Sequence, residues 1–311
     1  MRIAVTGASG FLGNVLLPTF SGRPDVSIVA LTRTLPIKGP AYHANVKWLQ
    51  GDLASPRDCQ ALVSGAEVLI HLAHTNTPLT SNRDLPSDVA TNAVPTVTLL
   101  QAVREAGSRP HVVYASSGGA LYAPPDDARP VDESAPCSPT TSYGIQKLLG
   151  EHYLRMAAHE GWLTATVLRI GNAYGLLLPT TRTQGFIGVA VARLRDGLPI
   201  RVFGDPDNVR DYVHLDDVCR MFAAACEPRR DFSIYNVGSG RGVSVRELLS
   251  LLGTVSGREL AVEHDTPTED ATRLPHWIVL DCTSAERELG WVPQVELEDG
   301  VRRLWNDASR T

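Results

Sequence analysis

A chain of 311 residues, 43% hydrophobic and 20% charged with 26 Gly and 21 Pro spread along it, can bury a large core; that composition excludes a disordered segment or a miniature binding motif. Its 29 Lys and Arg against 34 Asp and Glu give a formal charge of −5, which argues against a general affinity for nucleic acid or an anionic membrane and leaves room for a local basic pocket. No apolar run nears the ~20 residues of a membrane span or forms a signal-peptide core, and Cys59, Cys137, Cys219, Cys226 and Cys282 show no metal-ligand spacing, so a soluble cytoplasmic protein with reduced thiols and no metal is expected.

Short β-branched runs alternate with longer amphipathic ones through the first half. Strands are predicted at 3–5, 26–31, 46–49, 68–72, 111–115 and 164–170, with helices at 11–20, 56–63, 90–106 and 143–159. This alternation is that of a doubly wound parallel sheet. Past Ile170 the pattern changes. A loop-rich passage with a Thr cluster covers 175–188, followed by one helix and a strand at 200–203; then come a helix at 215–226, a strand at 232–237 able to rejoin the large sheet, and a helix at 243–252. The chain therefore reads as α/β, a Rossmann-type doubly wound parallel sheet with a smaller mixed α/β C-terminal lobe interleaved with it.

The first strand runs into Gly7-Ala8-Ser9-Gly10-Phe11-Leu12-Gly13 at the opening of the first helix. In this spacing Gly7 permits a tight turn, Gly10 removes a Cβ where a pyrophosphate approaches the backbone, and Gly13 allows close packing. The helix N-terminus then offers unpaired amides and a positive dipole end to a diphosphate. The second strand ends Ala30-Leu31-Thr32-Arg33, with no Asp or Glu for an adenine ribose. Arg33 can fork onto a 2′-phosphate, which favours NADP over NAD. After the third strand, Asp52 in Gly51-Asp52-Leu53 is a candidate contact for an adenine ring.

Ser142-Tyr143-Gly144-Ile145-Gln146-Lys147 places Tyr143 and Lys147 one turn apart on one helix face. A phenol titrates near ~10, and an ammonium beside it together with a cationic nicotinamide ring would favour the phenolate. Tyr143 could then exchange a proton with a substrate hydroxyl. Alone, the pair reads better as an ordinary surface helix, because Tyr-x-x-x-Lys is common by chance.

With its neighbours, the pair resembles the extended short-chain dehydrogenase/reductases, in the nucleotide-sugar epimerase/dehydratase branch typified by UDP-galactose 4-epimerase. The resemblance runs through 6–13, Gly51-Asp52-Leu53, His71-Leu72-Ala73, Asn92, Ala115-Ser116-Ser117-Gly118, 143–147, 168–172, 210–214 with Asp216-Asp217, 235–238 and 288–291. It implies that Tyr143 is the acid/base and that Lys147 holds the nicotinamide ribose. It further implies that Gly7, Gly10, Phe11, Leu12, Arg33, Asp52, Leu53, Leu72, Ala73, Asn92, Ala115 and Ile170 line the dinucleotide site. Asn172 and Arg210 match positions that grip a sugar nucleotide's diphosphate, and Arg273 is a weaker match. An ion pair of Arg210 with Asp211 or Asp216 is the structural alternative. Helices 90–106 and 143–159 match a four-helix dimer interface, to which Leu148, Leu149, Tyr153, Leu154 and Met156 could contribute, so a homodimer is the default.

Departures bear on the reaction. Counting back from Tyr122, the place of the family's catalytic Ser or Thr falls on Gly118. Ser117 would point elsewhere in an extended segment, unless the loop shifts it into place; otherwise substrate hydroxyls and water replace that bond or the activity is altered. Gly119 and Ala120 replace the Asp and Glu of sugar dehydratases, which speaks against dehydration. Asn76 stands where 4-epimerases often carry Lys, and Ala123 where Gly usually follows Tyr. The leading expectation is an NAD(P)-dependent nucleotide-diphosphate-sugar 4-epimerase acting through a transient 4-keto sugar. The alternatives are an NADPH-dependent 4-ketoreductase and, behind it, a catalytically impaired NADP-binding sensor or scaffold. Residues 1–171 are expected to form the cofactor domain with 213–237 returning to it, and 172–212 and 238–311 the substrate lobe.

Overall fold

The computed structural model describes residues 1–35, 45–125, 127–228, 230–265 and 275–310. Apolar β-branched runs that can be buried on both faces give β1 (Arg2–Thr6), β2 (Ser27–Thr32), β3 (Val46–Gln50), β4 (Val68–His71), β5 (His111–Ser117), β6 (Thr164–Ile170) and, later in the chain, Phe232–Val237. These seven strands lie in the order 232–237, β6, β5, β4, β1, β2, β3, every pairing parallel. The direction of winding reverses between β1 and β4, so a crevice opens there at the carboxyl ends of the strands.

Helices close both faces. On one, α1 (Gly13–Ser21) buries Leu16, Leu17 and Phe20. On the other, α2 (Pro56–Val63), α3 (Leu85–Asp88), α4 (Val94–Ala106), α5 (Gly118–Leu121) and α6 (Ser142–His159) follow in chain order; there Leu62, Leu99, Val103, Leu154 and Ala157 form the second core. Each fully buried large aliphatic or aromatic side chain contributes about 1.5–3 kcal/mol. Thr141 caps α6 by accepting from the Gly144 amide at 3.2 Å.

Two predicted helices have different bounds. The segment 90–106 is the end of a longer run in which the wide turn Val89–Ala93 separates α3 from α4. Pro95 has no N–H for the Thr91 carbonyl, and the wide turn absorbs that gap. The helix expected at 243–252 starts at Val245 and runs to Ser256, because Ser244 and Glu247 form a reciprocal capping box.

The second lobe is built on a small sheet that the sequence pattern did not show. In it β7 (Asn172–Tyr174) pairs with Val209–His214, which is flanked by Gly242–Ser244 and Trp277–Ile278. Strands this short leave no period to read. Its own core gathers Tyr174, Ile187, Val191, Leu248, Leu304 and Trp305. All five cysteines are free thiols. Among the described residues no helix is long and apolar enough to cross a membrane, and none form a metal-binding cluster.

Candidate active site

Three successive residues of one strand meet three successive turns of one helix. At the end of β5, the Ala115 carbonyl accepts from Lys147 Nζ at 2.8 Å and Ser116 donates to Glu151 Oε1 at 2.5 Å; Ser117 hydrogen-bonds the Tyr143 hydroxyl. Residues 143, 147 and 151 share a face of α6 by their four-residue spacing. The start of α6 is pinned from outside: Ser81 Oγ accepts from the Tyr143 amide at 3.0 Å, and Ser142 Oγ donates to Asp88 at 2.5 Å. Asp88, fully buried, also accepts from Asn76 at 2.7 Å and Asn92 at 2.9 Å. Asp88 is thus a node joining the loop after β4 to α6, and nothing in its sequence surroundings marks it.

The Tyr143 phenol is not lowered by Lys147 in the protein by itself. Burial pushes it up to about 12, opposed by the hydrogen bond with Ser117. Lys147 is itself desolvated and brought down to about 7, with the Glu151 carboxylate pulling the other way. Its Nζ lies 5.7 Å from the Tyr143 ring centroid, with its proton on a backbone carbonyl.

The glycine-rich turn lies against the loop after β4. Gly7 has φ of 68°, and a Cβ there would stand 2.7 Å from the Ala73 amide nitrogen. The Thr6 hydroxyl accepts from the Leu72 and Ala73 amides, both at 3.2 Å, so Leu72 and Ala73 are fixed at the crevice. No side chain caps α1; the Gly10 amide donates to the Gly7 carbonyl and the Asn14 amide to the Gly10 carbonyl, both at 3.0 Å, which leaves the Phe11 and Leu12 amides for an anion. Ser9 and Thr32 hydroxyls stand 3.2 Å apart, bringing the end of β2 and the exposed Arg33 beside the turn. This cradle fits a dinucleotide diphosphate.

The remaining predicted cofactor residues divide. Ile170 lies buried at the end of β6 beside the crevice. Asp52 uses Oδ1 to accept from the Ala54 amide at 2.8 Å, and Leu53 packs against the core below α2. Asn92 supports the loop after β4: its Oδ1 accepts from the Thr75 amide at 2.7 Å and its Nδ2 donates to Asp88.

In the second lobe, Asn172 on β7 lies in register with Tyr212, two residues from Arg210 on the adjoining strand. Asn172 Nδ2 donates to the Asp211 carbonyl at 3.3 Å. Arg210 Nη1 donates to the Val209 and His276 carbonyls at 2.8 and 3.1 Å. The ion pair weighed for Arg210 does not form: Asp211 accepts from Ser239, Gly240 and Leu280, and Asp216 faces His214 and Arg303. Burial pulls the Arg210 guanidinium below its usual range. A separate cleft, between the helix Phe186–Arg195 and the strand Ile200–Phe203, is lined by Thr180, Arg182, Phe186, Arg193, Arg201 and Phe203. Arg273 lies outside the described residues.

The chain matches the NAD dependent epimerase/dehydratase family over residues 3–238. It belongs to that family. It is 32% identical over 309 residues to the UDP-glucose 4-epimerase of Mycolicibacterium smegmatis, covering 97% of both chains. With the dTDP-4-dehydro-6-deoxyglucose reductase of Escherichia coli the identity is 27% over 308 residues, covering 97% of this chain and 96% of the other. The crystal structure of UDP-glucose 4-epimerase with UDP-glucose from Thermotoga maritima superposes with a TM-score of 0.90 at 29% identity, covering 98% of each. Against the epimerase/dehydratase pattern, the missing hydroxyl at Gly118 has a steric reason: a Cβ there would stand 2.6 Å from Leu280 Cδ1 and 3.2 Å from the Arg169 carbonyl. The chain leaves extended geometry after Ser117 and enters α5, which lets the Ser117 hydroxyl reach Tyr143. Gly119 faces Asn172, whose Nδ2 would be 3.9 Å from a Cβ there, so no carboxylate is offered on that side.

Proposed function

We propose that the protein is a nucleotide-diphosphate-sugar 4-epimerase working through a transient 4-keto sugar. The observation that carries this reading is the junction of β5 and α6, where Ser117, Tyr143 and Lys147 converge beside the glycine-rich cradle. A nicotinamide dinucleotide held by the glycine-rich cradle would supply reversible hydride acceptance at the sugar's reacting carbon. Tyr143 Oη accepts the proton of the reacting hydroxyl and returns it, with Ser117 holding the phenol oxygen. Lys147 binds the nicotinamide ribose from its place on the Ala115 carbonyl, one helical turn from the phenol. Asn172 and Arg210 hold the substrate diphosphate. Arg210 suits that role because its guanidinium is desolvated and bonded to carbonyls alone among its described partners.

Arg33 at the end of β2, with no carboxylate there, favours NADP as the dinucleotide. It also supports a second reading, an NADPH-dependent 4-ketoreductase that stops after one hydride delivery, in line with the reductase relative. The proposed division into a cofactor domain of residues 1–171 with 213–237 and a substrate lobe of 172–212 and 238–311 is supported by the separate cores of the large sheet and the second lobe, with the strand Val209–His214 running across the boundary at 213. For a homodimer through α4 and α6, Val94, Ile145 and Met156 are exposed and available, whereas Leu154 is buried in its own core. Incubation with UDP-sugars without added cofactor should yield the C4 epimer to equilibrium. No epimer, with stoichiometric NADPH consumption on a 4-keto sugar, would replace the epimerase by the reductase. Extracting the bound nucleotide identifies the dinucleotide.

A further inference from the structure

His74 stands three residues beyond the end of β4, at the point where the sheet reverses its winding. Its neighbours on both sides are fixed, Ala73 by the Thr6 hydroxyl at 3.2 Å and Thr75 by Asn92 at 2.7 Å, so its position does not drift. The imidazole packs edge-on against the Tyr143 ring, with centroids 4.7 Å apart and planes at 82°. Its Nε2 is buried and has no hydrogen-bond partner. Two other buried histidines of this sheet behave differently. His71 places its nitrogens 2.7 Å from Thr6 and 3.1 Å from Thr96, and His111 places its own 2.7 Å from Thr164 and 2.9 Å from the Ala225 carbonyl. Burial and the Lys147 charge hold His74 neutral, at about 2, so Nε2 is a donor or an acceptor according to tautomer.

A buried polar atom without a partner costs stability and calls for a water, an ion or a ligand; of the eight such side-chain atoms among the described residues, His74 Nε2 is the one whose ring packs on Tyr143. We infer that His74 is a ligand-binding residue of this centre, its Nε2 hydrogen-bonding a hydroxyl group that enters beside Tyr143. The inference rests on the reading of Tyr143 as the acid/base of a nucleotide-sugar enzyme. Two hydroxyls have this chemistry: one on the sugar next to the reacting carbon, and one on the nicotinamide ribose. His74 would then set how the ring of either is seated against the phenol.

The test compares His74→Ala with His74→Gln, whose amide reaches as far as Nε2, in the full-length protein. The readouts are kcat and KM with a UDP-sugar, and the dissociation constant of NAD and NADP. If the partner is the sugar, His74→Ala lowers kcat/KM about tenfold with dinucleotide affinity unchanged; if it is the ribose, dinucleotide affinity itself falls about tenfold. In both cases His74→Gln recovers part of the loss. Should His74→Ala not fold, His74→Leu fills the space without a polar atom and serves in its place. The inference is overturned if the folded apolar variant stays within about twofold of wild type in both readouts, or if Gln is impaired as much as Ala, which would reduce His74 to packing. Wild-type protein that binds neither dinucleotide nor UDP-sugar overturns the functional reading itself and this inference with it.

Discussion

Two buried cations sit close together behind the crevice, and they are treated in opposite ways. Arg169 is 4% exposed and fully answered: Glu151 accepts from it at 2.7 and 3.1 Å, Tyr122 Oη at 3.0 Å and the Glu133 carbonyl at 3.2 Å. Tyr122 passes the network on to Asn236 at 2.6 Å. Lys147, at 3% exposure, has one carbonyl and the faces of Tyr114 and Tyr143, and its ammonium is brought down toward neutrality. The saturated cation ties β5, β6 and α6 into one body. The unsaturated one keeps donors free at the crevice. Finished electrostatics mark the scaffold here, and unfinished electrostatics mark the place a ligand completes.

That contrast can be broken or sharpened by substitution. Tyr143→Phe should cut turnover by about a hundredfold to ten-thousandfold with the dinucleotide still retained, measured by initial rates and by the nucleotide extracted from the purified variant. Substantial remaining activity would remove Tyr143 as the proton carrier. Glu151→Gln leaves the Arg169 charge uncompensated and should cost about 3–5 kcal/mol in urea unfolding. Lys147→Met, by contrast, should abolish turnover while leaving stability unchanged or raised. A large stability loss there would erase the distinction between the two cations.

The same comparison has a pH arm. Lys147 goes from the usual 10.5 to about 7 on folding. Between those values the unfolded chain holds the extra proton, so its contribution makes stability rise with pH across that window. Thermal unfolding of Lys147→Met should lack that rise. Ser117→Ala should slow turnover about tenfold, the scale of one hydrogen bond to the phenol. Moving the hydroxyl to position 118 should not restore it, since Gly118→Ser drives an atom into Leu280 and costs about 1–3 kcal/mol by overpacking. The smallest effect is at the exposed edge, where Arg33→Ala should weaken NADP about tenfold and NAD hardly at all. Equal loss for both would leave the cofactor choice to other residues.

Much of this was legible before folding. The glycine-rich turn announces itself because only glycine tolerates φ of 68° at position 7 with a second backbone strand against it. Tyr143 and Lys147 are legible because helical periodicity alone puts them on one face. Asp88, Asn92 as a support and His74 were not, since their meaning comes from contacts between distant elements, such as Ser142 with Asp88, 54 residues apart, and Tyr143 with His74. Ser117 was ambiguous for a related reason. Whether its hydroxyl faces Tyr143 depends on where β5 stops being extended, and Leu280, far along the chain, helps decide that by occupying the space beside Gly118.

The sequence by itself determined the doubly wound sheet, the glycine-rich turn and the placing of Tyr143 and Lys147 on one helix face, because these rest on local period, backbone freedom and short spacing. Only the tertiary structure decided which buried groups are satisfied and which are left open. Hydrogen-bond satisfaction is a property of neighbours brought together from distant segments, so the residue types of Arg169, Lys147 and His74 could not reveal which of them is left open.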